Sequence, residues 1–264
     1  MLLAIDVGNT NTVFALHDGE GFVAEWRLKT DSGRTADEYF VWLRQLMDFA
    51  NIGVRAVREA ICSSVAPKTV FNIKRLCETY FGCTPLFVGG PDTRLPVEVR
   101  VNAPQEVGAD RIVNTVGAYK SYGPDLTVID FGTATTFDVV GADGAYEGGV
   151  IAPGVNLSLE ALHRAAARLP NIDVARPETV IGKDTLSCMR SGAYWGYVGL
   201  IEGICSRIQE ERGVKMTVIA TGGLSALFAK STGTIRHVDP DLTMRGLVHI
   251  HAFNKHAFTK AAPA

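Results

Sequence analysis

Residues 6–14, DVGNTNTVF, and residues 130–138, DFGTATTFD, share the frame Asp-x-Gly-x-x-x-Thr and occupy corresponding places in the two halves of the chain. Each stretch follows a short apolar run, LLAI at residues 2–5 and LTVI at residues 126–129, and leads into a second strand-like segment. A strand, an acidic residue, a glycine-containing turn and a second strand form a hairpin. The repeated hairpin predicts an α/β protein built from two matched halves.

The tip of such a hairpin suits a bound phosphate group. Glycine lets the backbone approach a ligand closely, and successive turn amides form a concave site for anions. A carboxylate beside a phosphate repels it unless a cation lies between them. The two motifs together therefore indicate a nucleotide phosphate with its metal ion, whereas a single copy would favour an ordinary hairpin turn. The sequence has neither GxxxxGK[ST] nor GxGxxG, which disfavours a P-loop or Rossmann nucleotide site.

Composition narrows the class of protein. The chain has 26 Lys and Arg against 28 Asp and Glu, so it lacks the excess of positive charge that is typical of nucleic-acid-binding proteins. Its apolar runs are shorter than a membrane span, its N-terminus lacks the basic region of a signal peptide, and its five cysteines form no CxxC pair. These features predict a soluble cytoplasmic protein that binds neither nucleic acid nor a membrane.

Turn chemistry at residues 122–125, YGPD, divides the chain into expected halves 1–120 and 121–264. The last helix is predicted from about Asp241 and can pack back on the first half. Further helices are expected at about 35–49, 67–81, 104–122, 156–168 and 183–211.

The long helix predicted at 183–211 contains glycines at intervals of three or four residues. Because glycine is a poor helix former, its repeated use there predicts close packing against another helix, either within the same domain or on a second copy of the chain. The glycines concerned are Gly192, Gly196, Gly199 and Gly203.

The stretch PQEVGADR at residues 104–111 carries a different signal. An acid beside an arginine is usually a solvated surface pair. Here the pair lies in a predicted helix whose other residues are mostly apolar, which predicts burial, and a buried carboxylate needs a partner or a chemical role. Phosphoryl transfer offers such a role to Asp110, as the group that orients and deprotonates the attacking hydroxyl.

Taken in order, these motifs resemble type III pantothenate kinase over about residues 2–255. The resemblance implies the actin/sugar-kinase ATPase superfamily fold, with two ribonuclease H-like half-domains and the nucleotide in the cleft between them. It also implies a homodimer that uses ATP to phosphorylate pantothenate to 4'-phosphopantothenate, the first step of coenzyme A biosynthesis. The matching segments are residues 6–10, 108–111, 130–135, 148–154, 182–185 and 221–223.

The same resemblance implies roles for individual residues. Asp110 would be the catalytic base, Asp6 would lie near Mg²⁺ or another divalent cation, directly or through water, and Asp130 would hold K⁺ or NH₄⁺. The residues that would bind ATP and its phosphates are Asp6, Val7, Gly8, Asn9, Thr10, Asn11, Thr12, Val13 and Thr133. The residues that would line the pantothenate site are Gly108, Ala109, Asp110, Arg111 and Thr185.

Two positions depart from the family pattern. Val101 stands where the family often has an aromatic residue, and Ala103 stands where it often has asparagine before the proline. We therefore expect the packing around pantothenate to differ in detail while the chemistry is kept.

Two other functions fit the same pattern. A transcriptional accessory protein would need DNA or a protein partner in place of turnover, and the near-neutral charge with the acids at positions 6, 110 and 130 favours the enzyme. Another small-molecule kinase, or a phosphatase, could use the same fold, because a fold does not fix its substrate.

Overall fold

The computed structural model describes residues 1–166 and 169–261. The chain divides into two compact units. The first contains Met1–Lys120 together with the helix that begins at Leu242, and the second contains Ser121–Asp241.

The first unit is built on a mixed five-stranded sheet with the strand order β3-β2-β1-β4-β5. The three strands β1, β2 and β3 form an antiparallel meander, while β4 and β5 continue the sheet in parallel on the other side of β1. The strands are β1 (Leu2–Val7), β2 (Asn11–His17), β3 (Phe22–Lys29), β4 (Glu59–Ser64) and β5 (Leu86–Phe87).

The second unit repeats this topology. Its sheet has the order β10-β9-β6-β7-β8, so in both sheets the strands follow the order third, second, first, fourth and fifth along the unit. The repeat confirms the predicted α/β fold with two matched sheets. The strands are β6 (Leu126–Phe131), β7 (Ala134–Val140), β8 (Tyr146–Pro153), β9 (Thr217–Gly222) and β10 (His237–Val238).

Two helices begin at a capping side chain. Thr35 and Glu38 form a capping box, in which the Thr35 backbone N–H donates to Glu38 Oε2 over 2.8 Å. Asp184 caps the longest helix by accepting the Ser187 backbone N–H. The helices are α1 (Ala36–Phe49), α2 (Val70–Leu76), α3 (Ala109–Tyr122), α4 (Val155–Ala165), α5 (Thr185–Arg212), α6 (Ser225–Ala229) and α7 (Leu242–Ala261).

Three predicted helices have different bounds in the structure. The helix expected over 67–81 consists of a 3₁₀ turn, α2 and a π-helical turn, and ends at Gly82, whose φ of 66° is left-handed. The helix expected from Pro104 is a separate 3₁₀ turn, because the chain is extended at Val107 before α3 starts. α4 ends at Ala165, and Arg168 lies outside the described residues. The short edge strands β5 and β10 were not predicted.

Alternate residues of β1 face opposite sides of the first sheet, as the strand period of two requires. Leu3 and Ile5 pack with the buried residues of α1 and α2, whereas Leu2 and Ala4 pack with those of α3 and α7. Asp6 shares the second face by this alternation. In the second unit, Ile129 and Phe131 of β6 pack with α4, α5 and α6, so that Asp130 between them lies on the opposite face.

Glycines bring α3 and α7 into close contact in the first unit. A Cβ at Gly117 would lie 2.5 Å from the carbonyl oxygen of Leu242, and one at Gly246 would lie 2.1 Å from that of Val113. A side chain at either position would force the two helices apart. This crossing fixes α3, the helix that begins with Ala109, Asp110 and Arg111.

The sequence leaves two alternatives for the glycines of α5, close packing within the same domain or on a second copy of the chain, and the described residues do not show the first at three of them. Cβ atoms built at Gly192, Gly196 and Gly199 meet nothing within 4 Å among the described residues, and all three glycines are exposed. Their neighbours Tyr194 and Tyr197 point the other way, into the core of the second unit. The glycines therefore form an open stripe on the outer face of α5.

Candidate active site

Asp6 is the penultimate residue of β1 and lies half-buried at the entrance to the first turn. Its register partners are Val13 on β2 and Ser63 on β4, so these three side chains share the face that α3 covers. The turn exposes only its tip, because Asn9, Thr10 and Asn11 face solvent while Val7, Thr12 and Val13 are buried. Those three buried residues can therefore offer a ligand their backbone groups but not their side chains.

Thr30, which follows β3, fixes the shape of this turn. Its hydroxyl donates to the carbonyl oxygen of Gly8 over 2.8 Å, and its backbone N–H donates to that of Thr10 over 2.9 Å. The Thr30 and Thr12 hydroxyls also share a hydrogen bond of 2.9 Å. No local sequence pattern predicts this role of Thr30, because Thr30 becomes a neighbour of the turn only through the pairing of β2 with β3.

The segment Gly108–Arg111 lies at the same end of the first sheet as this turn. Val65, one residue beyond β4, donates its backbone N–H to the carbonyl oxygen of Val7 over 3.0 Å. A Cβ at Gly108 would be 3.6 Å from Val65 Cγ1, so Gly108 packs against that strand end. The same Cβ would fall 2.6 Å from Asp110 Oδ1, and therefore a side chain at position 108 would displace the carboxylate.

Asp110 is half-buried in the first turn of α3. Its Oδ1 accepts the backbone N–H of Arg111 over 2.8 Å. Burial raises the pKa of the Asp110 carboxyl above its ordinary value, against the backbone hydrogen bonds and the Arg111 charge, which lower it. Asp110 is therefore a half-buried carboxylate with a raised proton affinity and a positive charge beside it. These properties suit the role of a proton acceptor.

Arg111 is half-buried in the same turn, and its carbonyl oxygen accepts the Thr115 hydroxyl over 2.9 Å. Its neighbour Ala109 is also half-buried, in the apolar cluster under α3 and α7. The start of α3 thus places a carboxylate and a guanidinium side by side at a strand end.

In the second unit, Asp130 is half-buried at the matching position of β6. Its register partners are Thr136 on β7 and Thr221 on β9. The second turn is shorter than the first, since only residues 132–133 separate its strands whereas residues 8–10 separate β1 and β2. The threonines of the shared sequence frame are consequently not equivalent. Thr12 pairs with Val7, and its structural counterpart is the buried Thr135, which pairs with Phe131.

Two glycines fit closely around the second turn. Gly222 has a φ of 84°, and a Cβ there would lie 2.6 Å from Asp130 Oδ1 and 2.7 Å from the Phe131 nitrogen. Gly154 donates its backbone N–H to the carbonyl oxygen of Thr133 over 3.1 Å, and it allows no side chain because a Cβ would lie 2.3 Å from that oxygen. The exposed Thr133 is therefore held between the end of β6 and the start of α4.

Thr185 is the exposed first residue of α5, also in the second unit. The segment before it folds back on the helix, because the Ser187 hydroxyl accepts the backbone N–H groups of Lys183 and Asp184 over 3.0 and 3.1 Å. A Cβ at Gly182 would lie 2.3 Å from the Cys188 nitrogen, so position 182 must be glycine.

The structure thus gathers two of the predicted groups in the first unit, residues 6–13 and 108–111. Asp130 and Thr133 lie together in the second unit, where Thr185 stands on a separate element. Among the described residues, no group of three or more His, Cys, Asp or Glu side chains could form a protein-only metal cage. Single carboxylates at Asp6 and Asp130 instead fit ions that share their ligands with phosphates and water.

A profile of the protein family described as type III pantothenate kinase matches residues 2–207. The chain belongs to the type III pantothenate kinase family. The type III pantothenate kinase of Dinoroseobacter shibae is 58% identical over 257 residues, which are 97% of this chain and 100% of that protein. This kinase therefore phosphorylates pantothenate with ATP in coenzyme A biosynthesis, and as an ATP-dependent kinase it uses a divalent cation.

Solved structures agree with the actin/sugar-kinase fold of this kinase. A 2-dehydro-3-deoxygalactonokinase from Sinorhizobium meliloti has a TM-score of 0.61 at 15% identity, with 100% of this chain and 99% of that chain covered. A Baf family transcriptional activator from Campylobacter jejuni has a TM-score of 0.60 at 20% identity, with 96% and 99% covered. At such identities these likenesses report the fold alone. Among the described residues, no helix has the length and apolarity that crossing a membrane requires.

Proposed function

We propose that Asp110 is the base that accepts the proton of the pantothenate hydroxyl during phosphoryl transfer. The observation that supports this best is the half-buried Asp110 carboxyl, with its raised pKa, at the same end of the first sheet as the Asp6 turn. The hydroxyl oxygen forms a bond to the γ-phosphorus, the bond from that phosphorus to the bridging oxygen of ADP breaks, and the proton passes to Asp110. A positioned base typically accelerates such a step by about 10²–10⁴.

ATP is bound, in this proposal, by Asp6, Gly8, Thr133 and the backbone of the first turn. The exposed tip at residues 9–11 offers the side chains, whereas the buried Val7, Thr12 and Val13 contribute backbone only. Asp6 would hold Mg²⁺, directly or through water, because Mg²⁺ takes few protein carboxylates and keeps several waters. Mg²⁺ would neutralise charge on the transferring phosphates.

Pantothenate is bound, in this proposal, by the residues around Asp110 and by Thr185. Arg111 presents a planar fork of donors that matches the carboxylate of pantothenate. Gly108 keeps position 108 free of a side chain that would displace Asp110, and Ala109 adds a small apolar surface. Thr185 offers an exposed hydroxyl at the start of α5.

Asp130 would hold a monovalent cation, K⁺ or NH₄⁺, beside the second turn. Its carboxylate lies at the end of β6, where Gly222 leaves room for it, and neutralises a single positive charge. Such an ion would in turn counter the negative charge of bound phosphate.

We also propose that the enzyme is a cytoplasmic homodimer. The open stripe formed by Gly192, Gly196 and Gly199 supports this, because it would allow a second helix to approach closely. Symmetric dimers are the commonest soluble oligomers. Light scattering should therefore give twice the mass of one chain, and a fully active monomer would remove this part of the proposal.

The cation assignments can be tested by measuring ADP formation with pantothenate as acceptor, with the product checked by mass. Activity should rise when K⁺ or NH₄⁺ replaces tetramethylammonium at constant ionic strength. Asp130→Ala should lose both this response and most of the activity. Unchanged activity of the parent enzyme in K⁺-free buffer would refute the monovalent-cation role.

A further inference from the structure

A short row of oxygen-bearing side chains runs across the second sheet behind Asp130. Thr136 is the direct register partner of Asp130, and Asp138 follows two residues later on β7, so all three share the face opposite the α5 core. Directly opposed residues of an antiparallel pair have Cβ atoms about 4.5–5.5 Å apart. The side chains of Asp130 and Thr136 can therefore reach one small ion.

The Thr136 hydroxyl has a defined polarity in this row. It donates its only proton to Asp138 Oδ2 over 3.1 Å. A hydroxyl has one proton and two lone pairs, and therefore the Thr136 oxygen presents acceptor sites to any other neighbour. Asp138 is fully buried, whereas Thr136 and Asp130 are half-buried at the turn. The half-buried Thr136 oxygen can therefore offer a lone pair to an ion beside Asp130. The hydrogen bond to the buried Asp138 fixes the orientation of the Thr136 hydroxyl.

The internal repeat provides a control for this arrangement. In the first unit, the register partner of Asp6 is Val13, and the position that corresponds to Asp138 is Ala15. Both are apolar and pack with the residues of α3 and α7. Both sheets have the same strand order and a carboxylate at the end of the first strand. Only on β7 of the second sheet is the residue opposite this carboxylate a hydroxyl that is hydrogen-bonded to a second carboxylate, Asp138.

We infer that Thr136 supplies a second protein oxygen to the monovalent cation beside Asp130, and that Asp138 is the positioning residue that aims this oxygen. The inference rests on the proposed role of Asp130. It also accounts for a chemical difference between the halves. Mg²⁺ keeps its waters and takes few protein ligands, which suits Asp6 beside Val13. A K⁺-sized ion exchanges its hydration shell for several uncharged protein oxygens, which suits Asp130 beside Thr136.

The test uses the full-length enzyme with Thr136→Val, which gives the second turn the side chain of the first. Two quantities are measured: the K⁺ concentration for half-maximal activity, and the rise in melting temperature that K⁺ produces over tetramethylammonium without substrates. We expect Thr136→Val to raise the K⁺ concentration for half-maximal activity about tenfold, which is the effect of losing one oxygen contact. The variant should also lose most of the rise in melting temperature that K⁺ produces. Thr136→Ser keeps the hydroxyl and should behave like the parent.

Asp138→Asn tests the positioning role. The new amide can donate to the Thr136 oxygen, which would turn the hydroxyl proton towards the ion, so K⁺ activation should weaken while the KM for ATP stays near that of the parent. If Asp138→Asn does not fold, the comparison of Thr136→Val with Thr136→Ser decides alone. Thr127→Val removes a buried hydroxyl from the opposite face of the same sheet and should leave both K⁺ measurements unchanged.

The outcomes separate this inference from the proposal beneath it. If Thr136→Val keeps the K⁺ response of the parent while Asp130→Ala loses it, Thr136 is not a ligand, and the role of Asp130 stands. If the parent responds to K⁺ no more than to tetramethylammonium, both are overturned.

Discussion

The Asp110 carboxylate accepts the backbone N–H of its neighbour Arg111 over 2.8 Å in the first turn of α3. This bond favours the ionised carboxylate, and burial of the same group opposes it. Burial has the larger effect, so the pKa of Asp110 lies above the ordinary aspartate value. The group can therefore bind a proton more readily than a surface aspartate and still lie beside a cation.

Asp110→Asn should lower kcat by roughly 10²–10⁴, because it keeps the shape of the side chain but removes proton acceptance. Binding of ATP should change little. Single-turnover rates with pantothenate, together with nucleotide titration, measure the two effects. Near-normal turnover in a correctly folded variant would end the assignment of Asp110 as the base.

The same substitution should stabilise the folded protein at neutral pH. Since the pKa of Asp110 is raised on folding, the stability linked to this group is present at low pH and is lost as the pH rises through the folded-state pKa. Asp110→Asn should therefore unfold at higher urea concentration than the parent at pH 7, and the difference should shrink towards pH 3.8, the ordinary aspartate value. Asp31→Asn, at an exposed carboxylate, controls for the loss of one negative charge.

The sequence predicts most of the fold because local signals repeat. An apolar run, Asp-x-Gly and a second apolar run recur at residues 2–14 and 126–138, and both become antiparallel hairpins with the carboxylate at the strand end. Thr35 and Glu38 likewise fix the start of α1 through neighbours three residues apart. Such signals lie within one element or one turn.

The features that the sequence did not predict depend on residues far apart in the chain. Thr30 shapes the first turn through hydrogen bonds to Gly8 and Thr10, and no local pattern relates these positions. Gly117 and Gly246 meet only after α3 and α7 have packed. The one-residue difference between the turns is set by backbone register, and therefore the frame of the motif alone mismatches Thr12 with Thr136.

Asp6→Ala should raise the Mg²⁺ concentration needed for half-maximal activity and lower kcat. A carboxylate at a strand end beside apolar Val13 can help to hold Mg²⁺ without forming a full cage. Its loss should therefore weaken the binding of Mg²⁺ while the protein still folds. Mg²⁺ titrations at fixed ATP measure the shift, and circular dichroism checks the fold. If the variant follows the Mg²⁺ curve of the parent, Asp6 is only a turn residue.

Arg111→Lys should weaken the binding of pantothenate far more than the binding of ATP. Lysine keeps the charge but cannot form the two parallel hydrogen bonds that the guanidinium makes to a carboxylate. The loss of one charge-assisted hydrogen bond corresponds to a rise in the KM for pantothenate of roughly tenfold to a hundredfold. Comparable changes in both KM values would instead make Arg111 a structural ion-pair partner.

Gly222→Ala should destabilise the second unit and disturb Asp130, whereas Gly223→Ala should fold normally. An alanine at position 222 would be forced into a left-handed conformation, which costs about 1–2 kcal/mol, and its Cβ would overlap both Asp130 Oδ1 and the Phe131 backbone. A Cβ at Gly223 meets nothing within 4 Å among the described residues, and its φ is not in the left-handed region. Melting temperatures of the two variants measure the difference in folding, and the response to K⁺ reports on Asp130. Equal stability of the two variants would mean that the end of β9 can move away from Asp130.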